Sequence, residues 1–316
     1  MPTKIRIAIC QFDSHQPSTT ATTTTNQTSD NLQFAEHEIK NLSKAKGFIA
    51  RAAQNTADLI IFPEYFITGL IENHLHLASK ESKWIKEFQR LAIEHQIDII
   101  PGTIVEEEEE GAAEKKEGAD PTKSPDDRRV NLFNSAYYID KSGQILGKYR
   151  KKNLWWVNPI LTYVSRLWDP RPVLGLDLAI PHREKYLTPC PNPHQVFEAL
   201  NGLKIGILVC WDLAWPEAFR DEVDLIIIPS YWTLDQPESK MIKHDPSGIH
   251  ESNLIDGCGG KKEDGFLGRS SISLPLKGHV VKFDEPDEKL QVVDVDLSVL
   301  KDAREVYKVR EEYYSK

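Results

Sequence analysis

Short apolar runs recur along the sequence, and each has the length of one buried β-strand. Five of them lie at 5–12, 58–63, 97–104, 203–209 and 225–229. Apolar residues at helical spacing predict helices over 38–54 and 80–96, between the early runs. Because strands that alternate with helices need a sheet whose faces are covered, the sequence predicts an α+β fold of mixed sheets covered by helices.

Turn-forming residues predict that hairpins are inserted among these elements. Strands at 134–139 and 145–149 flank a turn at 140–143, and a last pair of strands is expected at 280–283 and 291–296. A helix-like stretch over 216–220 is expected between the apolar runs at 203–209 and 225–229.

Two segments are too polar to bury apolar surface. Residues 14–30 are rich in Thr, Ser and Gln, and residues 106–129 are acidic with Lys, Gly and Pro. We expect both to be disordered inserts in one domain over 1–300, followed by a C-terminal segment over 301–316. An interaction tail is the alternative interpretation of the acidic insert.

Charge and cysteine spacing argue against several classes of function. The net charge is −9, whereas binding to nucleic acid needs a basic face. No run reaches the roughly 18 apolar residues of a membrane span, and the N-terminus lacks the features of a signal peptide. The four cysteines are far apart and have no paired metal-ligand spacing, so we expect a reduced cytoplasmic protein without a metal.

Cys210 ends the apolar run at 203–209 and is followed by Trp211, Asp212 and a turn. A turn from a strand into a helix presents a side chain at the edge of the sheet, beside free backbone N–H groups. Such groups can lower a thiol pKa and stabilise an oxyanion. A lone cysteine is more often structural, so this segment alone leaves both roles open.

Two charged segments also follow predicted strands. Glu64 stands directly after the run at 58–63, where partial desolvation would raise its pKa toward that of a general base. An ordinary loop charge is the alternative. The basic segment at 148–152 ends the first hairpin, and one lysine turned inward there would stabilise an oxyanion as a fixed positive charge. A solvated basic face is the alternative.

In this order and context, the three segments resemble the nitrilase superfamily of carbon–nitrogen hydrolases. The matching stretches are Phe62-Pro63-Glu64, Gly147-Lys148-Tyr149-Arg150-Lys151 with Leu154, and Cys210-Trp211-Asp212 with Pro216-Glu217. The resemblance runs from Ile5 to about Val295. It implies an α-β-β-α sandwich that forms a homodimer or a larger homo-oligomer.

The resemblance also implies roles for single residues. Glu64 matches the general base, Lys151 the catalytic lysine, and Cys210 the nucleophile. Glu184 matches a second glutamate that orients Lys151. The predicted substrate-binding residues are Tyr65, Trp211, Tyr231 and Trp232. The Trp211 N–H would complete an oxyanion hole, and core packing is the alternative for the last two aromatics.

Such residues would hydrolyse carbon–nitrogen bonds other than peptide bonds through a thioester on the cysteine, without a cofactor. The expected substrate is a small amide or nitrile, and the expected role of the protein is in nitrogen metabolism. Trp211-Asp212 is more similar to the amidase branches, because nitrilases usually carry Trp-Glu there. A nitrilase and a carbamoylase therefore remain alternatives.

The sequence departs from the family pattern at three places. Asn153 stands where the family usually has His, and Cys190 where it usually has Gly. After Trp232 the family has a helix with an Arg-Ala-x-Glu-Asn signature and then a buried strand, but 233–257 contains neither. We therefore expect that this chain lacks one core helix and one core strand of the family. A faulty gene model, a splice form or a degenerate family member would each explain the loss. A non-catalytic family member is a further alternative.

Overall fold

The computed structural model describes residues 2–17, 26–27, 33–71, 77–78, 83–109, 130–155, 184, 186–219, 223–232 and 267–308. The first strands are β1 (Lys4–Gln11), β2 (Asn26–Gln27), β3 (Gln33–Phe34), β4 (Leu59–Ile61), β5 (Asp98–Ile100), β6 (Thr103–Glu109), β7 (Val130–Ile139) and β8 (Ile145–Arg150). The later strands are β9 (Val196–Ala199), β10 (Leu203–Ile207), β11 (Leu225–Ile227), β12 (Ser271–Leu274), β13 (Gly278–Lys282) and β14 (Lys289–Asp296). The helices are α1 (Glu36–Gln54), α2 (Lys83–His95) and α3 (Ser298–Tyr307), and 3-10 turns cover Cys210–Ala214 and Pro216–Phe219.

The larger sheet is mixed, as the sequence predicted. Its strand order is β14-β1-β4-β5-β7-β6, and β8 also pairs with β7. The three central strands β1, β4 and β5 are parallel, and the outer strands pair antiparallel. The smaller sheet has the order β11-β10-β9.

Alternation along β1 explains why both faces of the larger sheet are covered. Ala8 and Cys10 face a core that they share with α1 and α2. Ile5 and Ile7 face the opposite core, which contains the apolar residues of β10. Because successive strand residues point to opposite faces, β1 has apolar residues on both.

The two sheets pack face to face. Leu59 and Tyr138 of the larger sheet share a buried core with Leu203, Ile205 and Ile207 of β10. Helices α1 and α2 cover the outer face of the larger sheet. The predicted α+β architecture, two packed sheets with helices outside, is confirmed. No helix in the described ranges is long and apolar enough to cross a membrane.

The predicted acidic insert begins too early. Residues 106–109 are part of β6, and Glu106 is buried opposite Phe133 of β7. Across β7, the Lys148 ammonium lies 2.7 Å from Glu106 and the Arg150 guanidinium 2.5 Å from Glu108. These ion pairs offset the poor strand propensity of glutamate, which the sequence interpretation did not weigh. The rest of the predicted insert, 110–129, lies outside the described residues.

The predicted disordered segment over 14–30 is also partly wrong. The His15 N–H donates to the Asn41 side chain of α1 at 2.8 Å, and Gln16 accepts from the Leu70 N–H at 3.2 Å. Asn26–Gln27 forms a short strand that pairs with Gln33–Phe34. Hydrogen bonds of His15 and Gln16 thus tie the described start of this segment to the fold. Residues 18–25 and 28–32 lie outside the described part.

Three further predictions fall near the end of the chain. The helix-like stretch expected over 216–220 is a 3-10 turn over Pro216–Phe219, and residue 220 lies outside the described part. The boundary at residue 300 falls inside α3, so the predicted C-terminal segment begins within the last helix. The helix and strand expected to be missing fall in 233–266, outside the described residues. The flanks of that segment meet, since the Leu267 N–H donates to the Trp232 carbonyl at 3.1 Å.

Candidate active site

Three strand ends bring the predicted catalytic side chains together. Glu64 follows β4, Lys151 follows β8 and Cys210 follows β10. Backbone hydrogen bonds extend two of these strands into the site: the Lys151 N–H donates to the Asn134 carbonyl at 2.8 Å, and the Cys210 N–H to Pro229 at 3.0 Å. Residues at the ends of strands from both sheets therefore meet at one place.

The Lys151 ammonium lies between two carboxylates. Its Nζ is 3.0 Å from Glu64 Oε1 and 2.7 Å from Glu184 Oε1. The exposed fractions of these side chains are only 1% for Lys151, 1% for Glu64 and 4% for Glu184. Charges buried this deeply need partners of opposite sign, and the lysine supplies one to both glutamates. The structure therefore brings Glu184 to Lys151, as the resemblance implied.

Two neutral side chains close this arrangement into a ring. The Tyr65 hydroxyl donates to Glu184 Oε1 at 2.7 Å. Asn134 Nδ2 donates to Glu64 Oε1 at 2.8 Å and to the Tyr65 hydroxyl at 2.8 Å. We call Glu64, Lys151, Glu184, Tyr65 and Asn134 the buried ring. Each member contacts two others, so the carboxylates are held from both sides.

Burial sets the protonation equilibria of the buried ring. Desolvation raises the pKa of Glu64 to about 7, although the neighbouring Lys151 charge opposes this shift and Glu184 adds to it. Burial alone would lower the pKa of Lys151, but the charges of Glu64, Cys210 and Glu184 outweigh it and raise this pKa. Near neutral pH, Glu64 can thus accept and return a proton beside a permanently charged lysine.

Cys210 lies at the start of the first 3-10 turn in a left-handed conformation, with φ of +47°. Non-glycine residues rarely adopt this conformation, and such strain occurs often at functional sites. The thiol is buried, with Sγ 4.0 Å from the Tyr231 carbonyl, and it interacts with the Glu64 carboxyl. Burial raises the pKa of the thiol, and the Glu64 charge adds to this. The resting sulfur is therefore a thiol, and it would need a base in order to attack as a thiolate.

Asp212 joins the lysine segment to the cysteine turn. Its buried carboxylate accepts the Val209 N–H at 3.0 Å and the Tyr149 hydroxyl at 2.8 Å through Oδ2. Its Oδ1 accepts both the backbone N–H and the side-chain amide of Asn153 at 2.9 Å. One carboxylate thus holds the segments that contain Lys151 and Cys210, and the Asn153 side chain, where the sequence departs from the family pattern, provides one of its four donors.

The second departure from the family pattern is Cys190, and the backbone conformation at this position does not require a glycine. Its backbone is not among the positive-φ positions. Its N–H donates to the Lys151 carbonyl at 3.1 Å. A side chain is therefore tolerated there, and the main chain of Lys151 is bound on both sides.

The predicted substrate-binding aromatics pack as two pairs. The ring of Tyr65 packs edge-on against Tyr231 with centroids 5.9 Å apart. The rings of Trp211 and Trp232 are tilted, with centroids 5.7 Å apart. The Tyr65 hydroxyl already bonds Glu184, while the other three side chains are partly exposed. Their contact with substrate stays a prediction.

The sequence interpretation missed Asn134 and the role of Asp212. Asn134 is the only amide inside the stretch 132–139, where the side chains are otherwise apolar, aromatic or Ser. A buried amide in such a strand was the available signal, since buried polar groups need partners. Among the described residues, no group of three or more His, Cys, Asp or Glu side chains could hold a metal ion.

Comparisons with known proteins agree on one family. Residues 6–244 match the family model for carbon-nitrogen hydrolases. A nitrilase of Pyrococcus abyssi is 25% identical over 302 residues, covering 90% of this chain and 96% of the relative. A 2-oxoglutaramate amidase of Bacillus subtilis is 24% identical over 281 residues, covering 84% and 88%.

A solved structure supports the same fold. It is an amidase variant from Nesterenkonia sp. AN1 that carries the acetamide moiety of fluoroacetamide on its active site cysteine. It has a TM-score of 0.58 and 17% identity, and the alignment covers 98% of this chain and 97% of that one. The family match ends at residue 244, within the segment that departs from the family pattern.

Proposed function

Because this chain belongs to the carbon–nitrogen hydrolase family of the nitrilase superfamily, we propose that it hydrolyses small amides through a thioester on Cys210. The observation that carries the proposal is the convergence of a thiol, a carboxyl with a pKa of about 7, and a buried lysine. This set provides a nucleophile, a base and a fixed positive charge in one dry site.

In the first half of the reaction, Cys210 Sγ attacks the amide carbonyl carbon while its proton passes to Glu64. The oxyanion that forms is stabilised by the Lys151 ammonium and the Trp211 N–H, because this charge and this hydrogen-bond donor are in place before the reaction begins. The carbon–nitrogen bond then breaks, the leaving nitrogen takes the proton from Glu64, and ammonia or an amine departs. A thioester remains on the sulfur.

In the second half, water attacks the thioester and gives a proton to the ionised Glu64. The tetrahedral intermediate expels the Cys210 sulfur, which regains that proton, and the carboxylic acid leaves. Glu184 keeps Lys151 oriented in both halves through its 2.7 Å contact with Nζ. After both halves, the Cys210 thiol and the Glu64 carboxylate have returned to their starting protonation states.

Trp211-Asp212 and the Bacillus subtilis amidase among the relatives support the amide preference. A nitrilase is the second candidate, supported by the Pyrococcus abyssi relative. We also propose a homodimer or larger homo-oligomer in the cytoplasm, and sedimentation of the purified chain would test its assembly.

A substrate panel tests the function. The purified chain and Cys210→Ala would be assayed for ammonia release from short-chain amides, carbamoyl compounds and nitriles. We expect wild-type turnover on amides and a loss of at least about 1,000-fold in Cys210→Ala. Turnover of nitriles alone would favour the nitrilase. No wild-type turnover in any class would favour a non-catalytic family member.

A further inference from the structure

We propose that Asn134 is a positioning residue for the general base: its side chain aims Glu64 at Cys210 while its backbone fixes the Lys151 main chain. The inference rests on the proposed function and deepens it. Asn134 is buried, lies inside β7, and belongs to none of the three segments that carry the family resemblance.

The backbone of Asn134 holds the lysine. β7 and β8 pair antiparallel, with Ser135 opposite Arg150. One position further along, the Asn134 carbonyl accepts the Lys151 N–H at 2.8 Å. The residue opposite Lys151 across the ladder is therefore the residue whose side chain reaches the base.

The side chain of Asn134 holds the carboxylate. Its Nδ2 donates to Glu64 Oε1 and to the Tyr65 hydroxyl, both at 2.8 Å. Glu64 Oε1 also accepts Lys151 Nζ at 3.0 Å. With two donors on Oε1, the other oxygen of Glu64 is the one left to take the thiol proton.

The amide orientation follows from the chemistry of its partners. The Tyr65 hydroxyl gives its proton to Glu184, so it needs a donor from Asn134. An ionised Glu64 can only accept hydrogen bonds, so it also needs a donor from Asn134. Turning the amide over would set its carbonyl oxygen against both acceptors, whereas here Oδ1 has no hydrogen-bond partner in the described part of the chain.

The titratable groups that face Glu64 define the expected effect. Lys151, Glu184, Cys210 and Tyr65 all interact with its carboxyl. Asn134 also contacts this carboxyl, as a hydrogen-bond donor that does not titrate. A hydrogen bond to the charged form favours that form, so removing the Asn134 donor raises the pKa at which Glu64 ionises, while the charged neighbours stay the same.

Asn134→Leu and Asn134→Ser would be compared with wild type and with Ser135→Ala. Ser135 is the matched control, because it is the next residue of β7 and its buried hydroxyl has no partner among the described residues. Two pH profiles are measured for each protein: kcat/KM on the best amide, and the rate of iodoacetamide alkylation of the peptide that contains Cys210.

Both Asn134 variants should move the acid limb of both profiles to higher pH by about one unit. At pH 6, kcat should fall about tenfold while KM changes less than about twofold. Ser135→Ala should keep both limbs. Unmoved limbs in the Asn134 variants, or an equal shift in Ser135→Ala, would overturn the proposal. If the wild type hydrolyses nothing, the proposed function fails, but the alkylation profiles still decide the role of Asn134.

Discussion

At the scale of the residue, the site is organised by the cost of burying charge. Lys151, Glu64 and Glu184 are almost wholly removed from solvent, and each is within 3.0 Å of a partner of opposite charge. Two negative charges and one positive charge leave a net negative site when both carboxyls are ionised. One proton can therefore move onto Glu64 without a large penalty, as a general base requires.

The first prediction concerns pH. Glu64 must be ionised to accept the thiol proton, and burial raises its pKa to about 7. As pH falls through 7, Glu64 becomes protonated, so kcat/KM should fall about tenfold per pH unit below that value. A pH profile of the wild type between 5 and 9 checks this. A flat profile across pH 5 to 7 would contradict the assignment of Glu64 as the base.

The second prediction compares adjacent lysines. Lys151→Met removes the only cation in contact with the two buried glutamates among the described residues. It should abolish turnover and lower the free energy of unfolding by about 3 kcal/mol. Lys152→Met is the control and should change stability by less than about 0.5 kcal/mol, because Lys152 belongs to neither ion pair. Urea unfolding and amide turnover measure both, and equal effects in the two variants would refute the assignment.

At the scale of the element, the strand ends explain what could and could not be predicted. Glu64 and Cys210 could be found because each follows a continuous apolar run, which marks a buried strand. Asn134 lies inside its strand, where no boundary marks it. The β6 extension over 106–109 was missed because its ion pairs to Lys148 and Arg150 join strands that are distant in sequence.

The third prediction concerns the loop beneath Glu64. Gly102, between β5 and β6, has φ of +57°, and an added Cβ would lie 1.8 Å from the Pro63 carbonyl oxygen. Gly102→Ala should therefore destabilise the protein by more than about 1 kcal/mol and displace Glu64. Gly47→Ala is the control, since a Cβ there meets nothing within 4 Å inside α1. That variant should be more stable by about 0.5–1 kcal/mol.

Thermal unfolding and amide turnover distinguish the two glycine variants. Loss of both stability and activity is expected only for Gly102→Ala. If Gly102→Ala were as stable and active as wild type, the close approach of Pro63 would not be what fixes Glu64.

The fourth prediction concerns the link between β8 and the cysteine turn. Asp212→Asn replaces one of two acceptor oxygens by an NH₂ group, which leaves buried donors around it unpaired. Stability should fall by about 2 kcal/mol and kcat/KM by at least about tenfold, because Lys151 and Cys210 lose their common anchor.

Asp140→Asn is the control for the fourth prediction. Asp140 also accepts several hydrogen bonds, from Ser142 and Gln144, but in a partly exposed hairpin turn. Solvent can satisfy donors there, so this variant should keep its activity and lose less than about 1 kcal/mol. Equal losses of activity in the two variants would show that the hydrogen bonds of Asp212 do not hold Lys151 and Cys210 in place for activity.

At the scale of the whole molecule, two packed sheets carry the site between them. The sequence predicted this architecture from its strand and helix periodicity and from the order of three motifs. The sequence could not determine how the altered segment after Trp232 affects the fold, because short-range patterns do not show which distant strands pair in a sheet. Glu64, Lys151 and Cys210 lie at strand ends outside residues 233–266, which supports the proposed activity of the chain.

The most direct test is intact-mass spectrometry of the chain during turnover of an amide, quenched in acid. We expect a transient mass increase equal to the acyl group, located on the peptide that contains Cys210. Its formation should be slower in Glu64→Gln, and it should be absent in Cys210→Ala. Amide hydrolysis that persists in Cys210→Ala, or an acyl group found on another residue, would contradict the proposed function.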